Sequence, residues 1–343
     1  MNRIKSILLI LAVMMLPACL YAQEKEEAID IPEIVLHHLS DAYEWHIAGD
    51  LSIPLPIIVK AEQGWFFGTS KGIEEHPTLF FDESHHGKIY EKMSDGTTRR
   101  PLDLSMTKSV CQIWIVAIIL IVVFLSIAKW YKKRDCKSEA PKGFVGAMEM
   151  LVMTIHDDVI RSCVGEKHYK KYAPYLLTVF FFILVTNLLG LLPVFPGGAN
   201  VTGNINITFF LALCTMLLVN IFGNKEYWKE IFWPEVPLFL KAYPAPLIPV
   251  IELVGIITKP FALMVRLFAN MMAGHAIILS FTCVIFLGWT MGVGMGVGLN
   301  LFSALMLLFM NAVELLVAFV QAYVFTLLSA VFIGLAHPEH HSA

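Results

Sequence analysis

The sequence predicts an all-α integral membrane protein with five membrane-crossing helices plus a surface amphipathic helix. The last two crossings form a long tilted hairpin, and a small N-terminal domain lies outside the bilayer. Three observations carry this prediction. Of 343 residues, 57% are hydrophobic and 15% charged, and the mean hydropathy is +0.67, a composition that buries apolar surface in lipid rather than in one soluble core. Five segments reach the roughly 17–25 apolar residues that a helix needs to cross a bilayer. Lysine and arginine gather in alternate connections, as the positive-inside rule requires. The net charge of −3 is small and offers no basic surface for nucleic acid.

Residues 1–22 have the form of a secretory signal. Arg3 and Lys5 precede the apolar run Ile7–Leu16, and Cys19-Leu-Tyr-Ala22 precedes Gln23. The run is too short to span, and cleavage after Ala22 fits best. Leu16-Pro17-Ala18-Cys19 also resembles a lipoprotein-type site, which leaves cleavage before Cys19 as an alternative. Either event leaves the following chain outside, in a bacterial periplasm.

Residues 23–108 then read as a small periplasmic domain. Turn residues (Ile53-Pro-Leu-Pro56, Ser94-Asp-Gly96) separate short alternating runs that lean towards β structure. No cysteine falls in 23–108, so it has no disulfide framework. Cys111, Cys136, Cys163, Cys214 and Cys283 read as small apolar fillers. His37, His38, His46, His85 and His86 follow no strong zinc spacing and read as surface residues; neither a metal nor a cofactor is expected.

The membrane domain occupies 109–340. Ser105 or Thr107 is positioned to cap the first crossing, Ser109–Ala128. Lys129, Lys132, Lys133, Arg134 and Lys137 follow it and set that end inside. Residues 141–171 are too polar to cross; Met148, Leu151, Val152, Ile155 and Val159 recur at helical spacing, as in an amphipathic helix on the inner surface. Pro174–Phe195 runs outward, with Asn187 near Pro193 read as a cap, and Asn206–Phe222 runs inward to a connection bearing Lys225, Lys229 and Lys241. Leu247–Leu287 runs outward, the glycine-rich 292–298 reads as a turn, and Leu299–Ala336 runs inward. The last two segments would each measure about 60 Å as helices, so they must tilt, bend or extend beyond the bilayer; Pro260 is a candidate bend. The C-terminus is then cytoplasmic, with His337, His340 and His341 in a solvated tail.

The hairpin concentrates polar residues in apolar surroundings. Its first arm carries Glu252, Lys259, Arg266, Asn270 and His275, and its second carries Ser303, Asn311, Glu314 and Gln321. An arginine keeps its charge, and at mid-bilayer depth it costs about 2.5–3.5 kcal/mol on translocon scales. Residues at equal depth in an antiparallel pair share one index sum. His275 with Glu314 sums to 589 and Arg266 with Gln321 to 587, close to the 590 expected for a turn centred near residue 295. Glu314 and Gln321, seven apart, share a face with Ser303, whereas Arg266 and His275, nine apart, point about 180° away from each other. Histidine and carboxylate exchange protons near neutral pH when burial and pairing tune them, so His275 and Glu314 suit a proton-entry path. Arg266 suits a fixed positive barrier that interrupts a continuous water wire.

These residues resemble subunit a of the F-type ATP synthase membrane sector. The resemblance is carried by Lys259-Pro-Phe-Ala-Leu-Met-Val-Arg-Leu-Phe-Ala-Asn-Met-Met-Ala-Gly-His275, by Thr186-Asn-Leu-Leu-Gly-Leu-Leu-Pro193, and by Glu314 through Gln321-Ala-Tyr-Val-Phe325, and it covers about residues 105–336. It implies that Arg266 faces a ring of c subunits and releases the proton from each ring carboxylate, supported by Asn270 and Gln321. It further implies that His275 and Glu314 line the outer half-channel, that Glu252 lies by the inner one, and that the chain is a non-catalytic subunit working with a b-subunit peripheral stalk and the other synthase subunits. Some bacterial members place an acid at 275 and a histidine at 314; this chain has the swapped arrangement. The implied location is the bacterial inner membrane, and the ion is H+ or Na+. The rival readings are a secondary transporter with an intramembrane arginine, which would favour an inverted repeat that the sequence lacks, and a membrane-anchored sensor centred on 23–108.

Overall fold

The computed structural model describes residues 35–36, 39–48, 51–62, 64–82, 87–93, 95–133, 141–192, 197–232, 247–290 and 293–337. The expected signal, His37, His38, His85, His86, His340 and His341 lie outside them. The described chain divides into two units. One comprises Met1–Ile113, Gly190–Ala199 and Ala273–Val313; the other comprises Trp114–Leu189, Asn200–Met272 and Glu314–Ala343.

The first unit contains the β structure expected of the N-terminal segment. Strands β1 (Glu44–Ala48) and β2 (Leu51–Pro54) pair antiparallel. Strands β3 (Ile57–Ala61) and β4 (Gly64–Gly68) form a hairpin, followed by the short helix α1 (Ser70–Glu74) and by β5 (Leu79–Asp82), β6 (Lys88–Lys92), β7 (Thr98–Arg99) and β8 (Leu102–Asp103). The sheet orders are β4-β3-β8 and β5-β6-β7. Alternation builds the core: Ile57, Val59 and Ala61 turn one face of β3 inward to meet Tyr43, Ile73, Leu79 and Ile89, each large aliphatic contributing about 1.5–3 kcal/mol of burial. The Tyr43 hydroxyl donates to the Asp103 carboxylate; burial, then that carboxylate, raises the phenol well above its usual range.

β8 leads directly into helix α2 (Lys108–Lys133). Thr107 caps it, its hydroxyl accepting the Val110 N–H at 3.4 Å, while Ser105 instead accepts from the Ile58 N–H at 3.0 Å. Asp41 accepts the Ser109 N–H at 3.0 Å, so the free donors of the first turn are met from the β domain.

In the second unit, helix α3 (Gly143–Met153) passes into a π-helical stretch, Thr154–Arg161, and then α4 (Ser162–Val164). Of the expected apolar stripe, Ile155 and Val159 are buried in protein, with Ile160 and Val164 beside them, and Met148, Leu151 and Val152 pack partly buried against the same cluster. Their cluster includes Leu176, Phe180 and Ile183 of helix α5 (Tyr169–Gly190), Ala212 and Val219 of helix α6 (Ile205–Phe222), and residues of the two longest helices. α5 begins earlier than Pro174 because a proline one turn in removes only the bond to the Lys170 carbonyl. Asn204 caps α6, accepting the Asn206 N–H. Short helix α7 (Lys225–Phe232) follows, and helices α8 (Leu247–Thr290) and α9 (Val293–Leu335) complete the chain.

Among the described residues, five helices are long and apolar enough to cross a membrane: α2, α5, α6, α8 and α9. α8 continues through Pro260. Two expectations are corrected. Of the glycine run 292–298, Gly292 lies outside the described residues, and 293–298 is not a turn, because α9 is already helical from Val293; in an apolar medium an unwound glycine stretch would leave backbone groups unbonded, so helix wins. The register survives nonetheless: a Cβ on Gly288 would stand 2.0 Å from Asn300 Oδ1, a close approach with an index sum of 588. His337 is not in a solvated tail. It is 5% exposed, its Nδ1–H donates to the Ile333 carbonyl at 3.0 Å, and its Nε2 accepts from the Tyr172 hydroxyl at 3.1 Å.

Candidate functional site

On α8, Leu263, Met264, Leu267 and Met271 are buried in the helical core. Arg266 and Asn270, one turn apart, are exposed, as are Phe261, Ala262, Val265 and Ala269. The permanent charge therefore stands on an apolar outer face with small residues above and below it. Such residues let a second helix approach closely.

On α9 the polar stripe turns inward: Ser303, Glu314 and Gln321 are 1%, 4% and 5% exposed. Gln321 lies among Ala318, Ala322 and Phe325, all buried. Asn187 is no simple cap. Its Nδ2–H donates to the Ala318 carbonyl at 3.3 Å and its Oδ1 accepts from the Thr202 hydroxyl at 2.7 Å, fixing α5 to α9 one turn before Gln321. Arg266, Asn270, Glu252, Glu314 and Gln321 belong to one unit, and His275 to the other.

His275 has a defined partner. Its Nε2–H donates to the Gly190 carbonyl at 3.3 Å, since a carbonyl can only accept. A Cβ on Gly190 would sit 3.5 Å from that nitrogen and 3.4 Å from the Ala199 carbonyl oxygen, at ordinary van der Waals distance from both.

Glu252 sits in a second polar cluster. Its Oε2 and Lys259 Nζ each lie 4.0 Å from where a Cβ on Gly255 would stand. A small, open cleft lies beside Lys259, lined also by Asn220, Tyr227, Ile256 and Pro260. Pro260 offers no N–H to the Ile256 carbonyl. The Tyr227 hydroxyl donates to Asn220 Oδ1 at 3.3 Å; burial, then the Glu252 carboxylate, raises the phenol. Gly190, Asn220 and Tyr227 were not singled out from the sequence. The only signal for Asn220 and Tyr227 was their seven-residue spacing across the junction of α6 and α7, whereas a backbone carbonyl carries none.

The family model for the ATP synthase A chain matches residues 110–334, which takes in every residue of these clusters. The chain belongs to that family. ATP synthase subunit a of Chlorobium phaeobacteroides is 45% identical over 248 residues, covering 69% of this chain and 67% of the relative. That of Chloroherpeton thalassium is 41% identical over 240 residues, covering 69% of each. That of an Anaeromyxobacter species is 35% identical over 318 residues, covering 90% of this chain and 71% of the relative. As an ATP synthase A chain, the protein is a multi-pass, proton-translocating membrane-sector subunit and carries no ATP chemistry of its own. The transporter and sensor readings fall away. Residues 34–105 match a separate family described as a domain of unknown function, DUF8433.

Proposed function

We propose that Arg266 faces the carboxylate of a rotating c ring and separates two proton half-paths, so that ions cross only by riding the ring. The observation that carries this reading is the exposed pair Arg266 and Asn270 on an otherwise apolar helix face. A lone charge at that depth costs about 2.5–3.5 kcal/mol, and a carboxylate arriving on a partner helix offsets it. The charge cannot itself relay a proton, and blocking a leak saves about 2.3 kcal/mol per charge per 100 mV.

His275 and Glu314 line the outer half-path, with Gln321 supporting the arginine, and Glu252 lies by the inner half-path with Lys259 and the cleft. The N-terminal domain is periplasmic after removal of residues 1–22, the C-terminus is cytoplasmic, and the membrane is the bacterial inner membrane. The helix at 143–164 sits at its inner surface, where exposed Phe144, Met150 and Met153 meet lipid. A b-subunit stalk and the remaining synthase subunits complete the assembly.

A cysteine pair tests the ring contact. Ala269→Cys, combined with a cysteine beside the carboxylate on the ring helix, is expected to cross-link on oxidation of the intact complex and to stop ATP-driven pumping. Labelling of the Ala269→Cys thiol by lipid-soluble probes alone, with no cross-link, would contradict the contact.

A further inference from the structure

We infer that the N-terminal domain clamps the outer loop that holds the carbonyl partner of His275, with Trp45 and Gln112 as its positioning residues. The inference rests on the proposed proton-path role of His275. All of its contacts lie within one unit of the chain.

Two buried side chains hold one end of the loop. Trp45 on β1 is 3% exposed, and its indole N–H donates to the Gly197 carbonyl at 3.2 Å. Gln112, one turn into α2 and fully buried, accepts the Ala199 N–H with Oε1 at 3.0 Å. The other end is Gly190, whose carbonyl accepts from His275. The two ends lie side by side, since a Cβ on Gly190 would stand 3.4 Å from the Ala199 carbonyl oxygen. A displacement at Ala199 is therefore felt at the atom that orients the imidazole.

The clamp is one hydrogen-bonded piece. The Leu104 N–H donates to the Ile58 carbonyl at 2.9 Å, the Met106 N–H to Pro56 at 3.0 Å, and the Lys108 N–H to Ala42 at 2.9 Å. Trp45 and Gln112 thus reach the loop from a β domain and a helix head that are tied together. The gain is orientation. A fixed carbonyl selects the His275 tautomer with the proton on Nε2 and holds the orientation of the ring. This gives the domain of unknown function a task within ion translocation.

The test uses the assembled synthase in proteoliposomes. Trp45→Phe keeps the ring and removes the donor, Gln112→Leu removes the acceptor, and Gln112→Glu keeps one. Trp45→Phe and Gln112→Leu are expected to speed amide exchange in peptides covering 197–199 and to lower proton flux per assembled complex roughly fivefold, the scale of one lost hydrogen bond. Gln112→Glu is expected to keep both near the parent. Unchanged exchange and flux in Trp45→Phe and Gln112→Leu overturn the clamp, as does an equal loss in Gln112→Glu, which would mark a merely structural role. His275→Ala separates the two levels: normal flux in that variant sinks the proton-path reading of His275, while loop exchange still decides the clamp.

Discussion

Glu252 and Glu314 are both carboxylates in apolar helices, yet their surroundings differ. Glu314 is buried in the helical core of α9, whereas Glu252 is half-exposed, with Lys259 close by and Tyr227 within reach of its charge. If each serves a half-path on its own side, each responds to the pH of that side. In proteoliposomes with independently set pH, Glu252→Gln is expected to change how synthesis depends on inner pH, and Glu314→Gln how it depends on outer pH. Both variants shifting the same side would contradict two separate paths. Charged residues in apolar helices were legible because their cost demands a reason. Trp45, Gln112 and Gly190 were not, because their importance lies in the backbone groups they meet. His337 was misread for the same reason, as nothing local announces that Tyr172 covers it.

At the scale of elements, hydropathy located each candidate crossing, and capping chemistry narrowed the start of α2 to Ser105 or Thr107, of which Thr107 caps it. Boundaries set by proline and glycine were less legible: Pro174 lies inside α5 because, one turn in, it removes a single helix bond, and the run from 293 to 298 lies inside α9 because helical bonding in an apolar medium outweighs the local preference for turns. Glycine matters elsewhere. A Cβ on Gly334 would stand 2.0 Å from the Cys163 carbonyl oxygen, so the end of α9 packs directly on the backbone after the π-helical stretch. Gly334→Ala is expected to cost about 1–3 kcal/mol through overpacking, read as a lower thermal midpoint of the purified complex. An unchanged midpoint would mean that this contact yields without cost.

The whole molecule joins a β domain, whose core is built on strand alternation, to a membrane domain whose apolar helices carry a few costly polar groups. The five apolar helices and the polar residues of the last two were readable from composition and spacing; the link between the β domain and Gly197 and Ala199 required three-dimensional contacts. The account stands on Arg266 as a barrier that a ring carboxylate must meet. The most direct measurement is ATP synthesis driven by an imposed proton gradient in purified, fully assembled Arg266→Ala complex. Synthesis is expected at background level with assembly intact, and synthesis at the parent rate would contradict the proposed barrier role of Arg266.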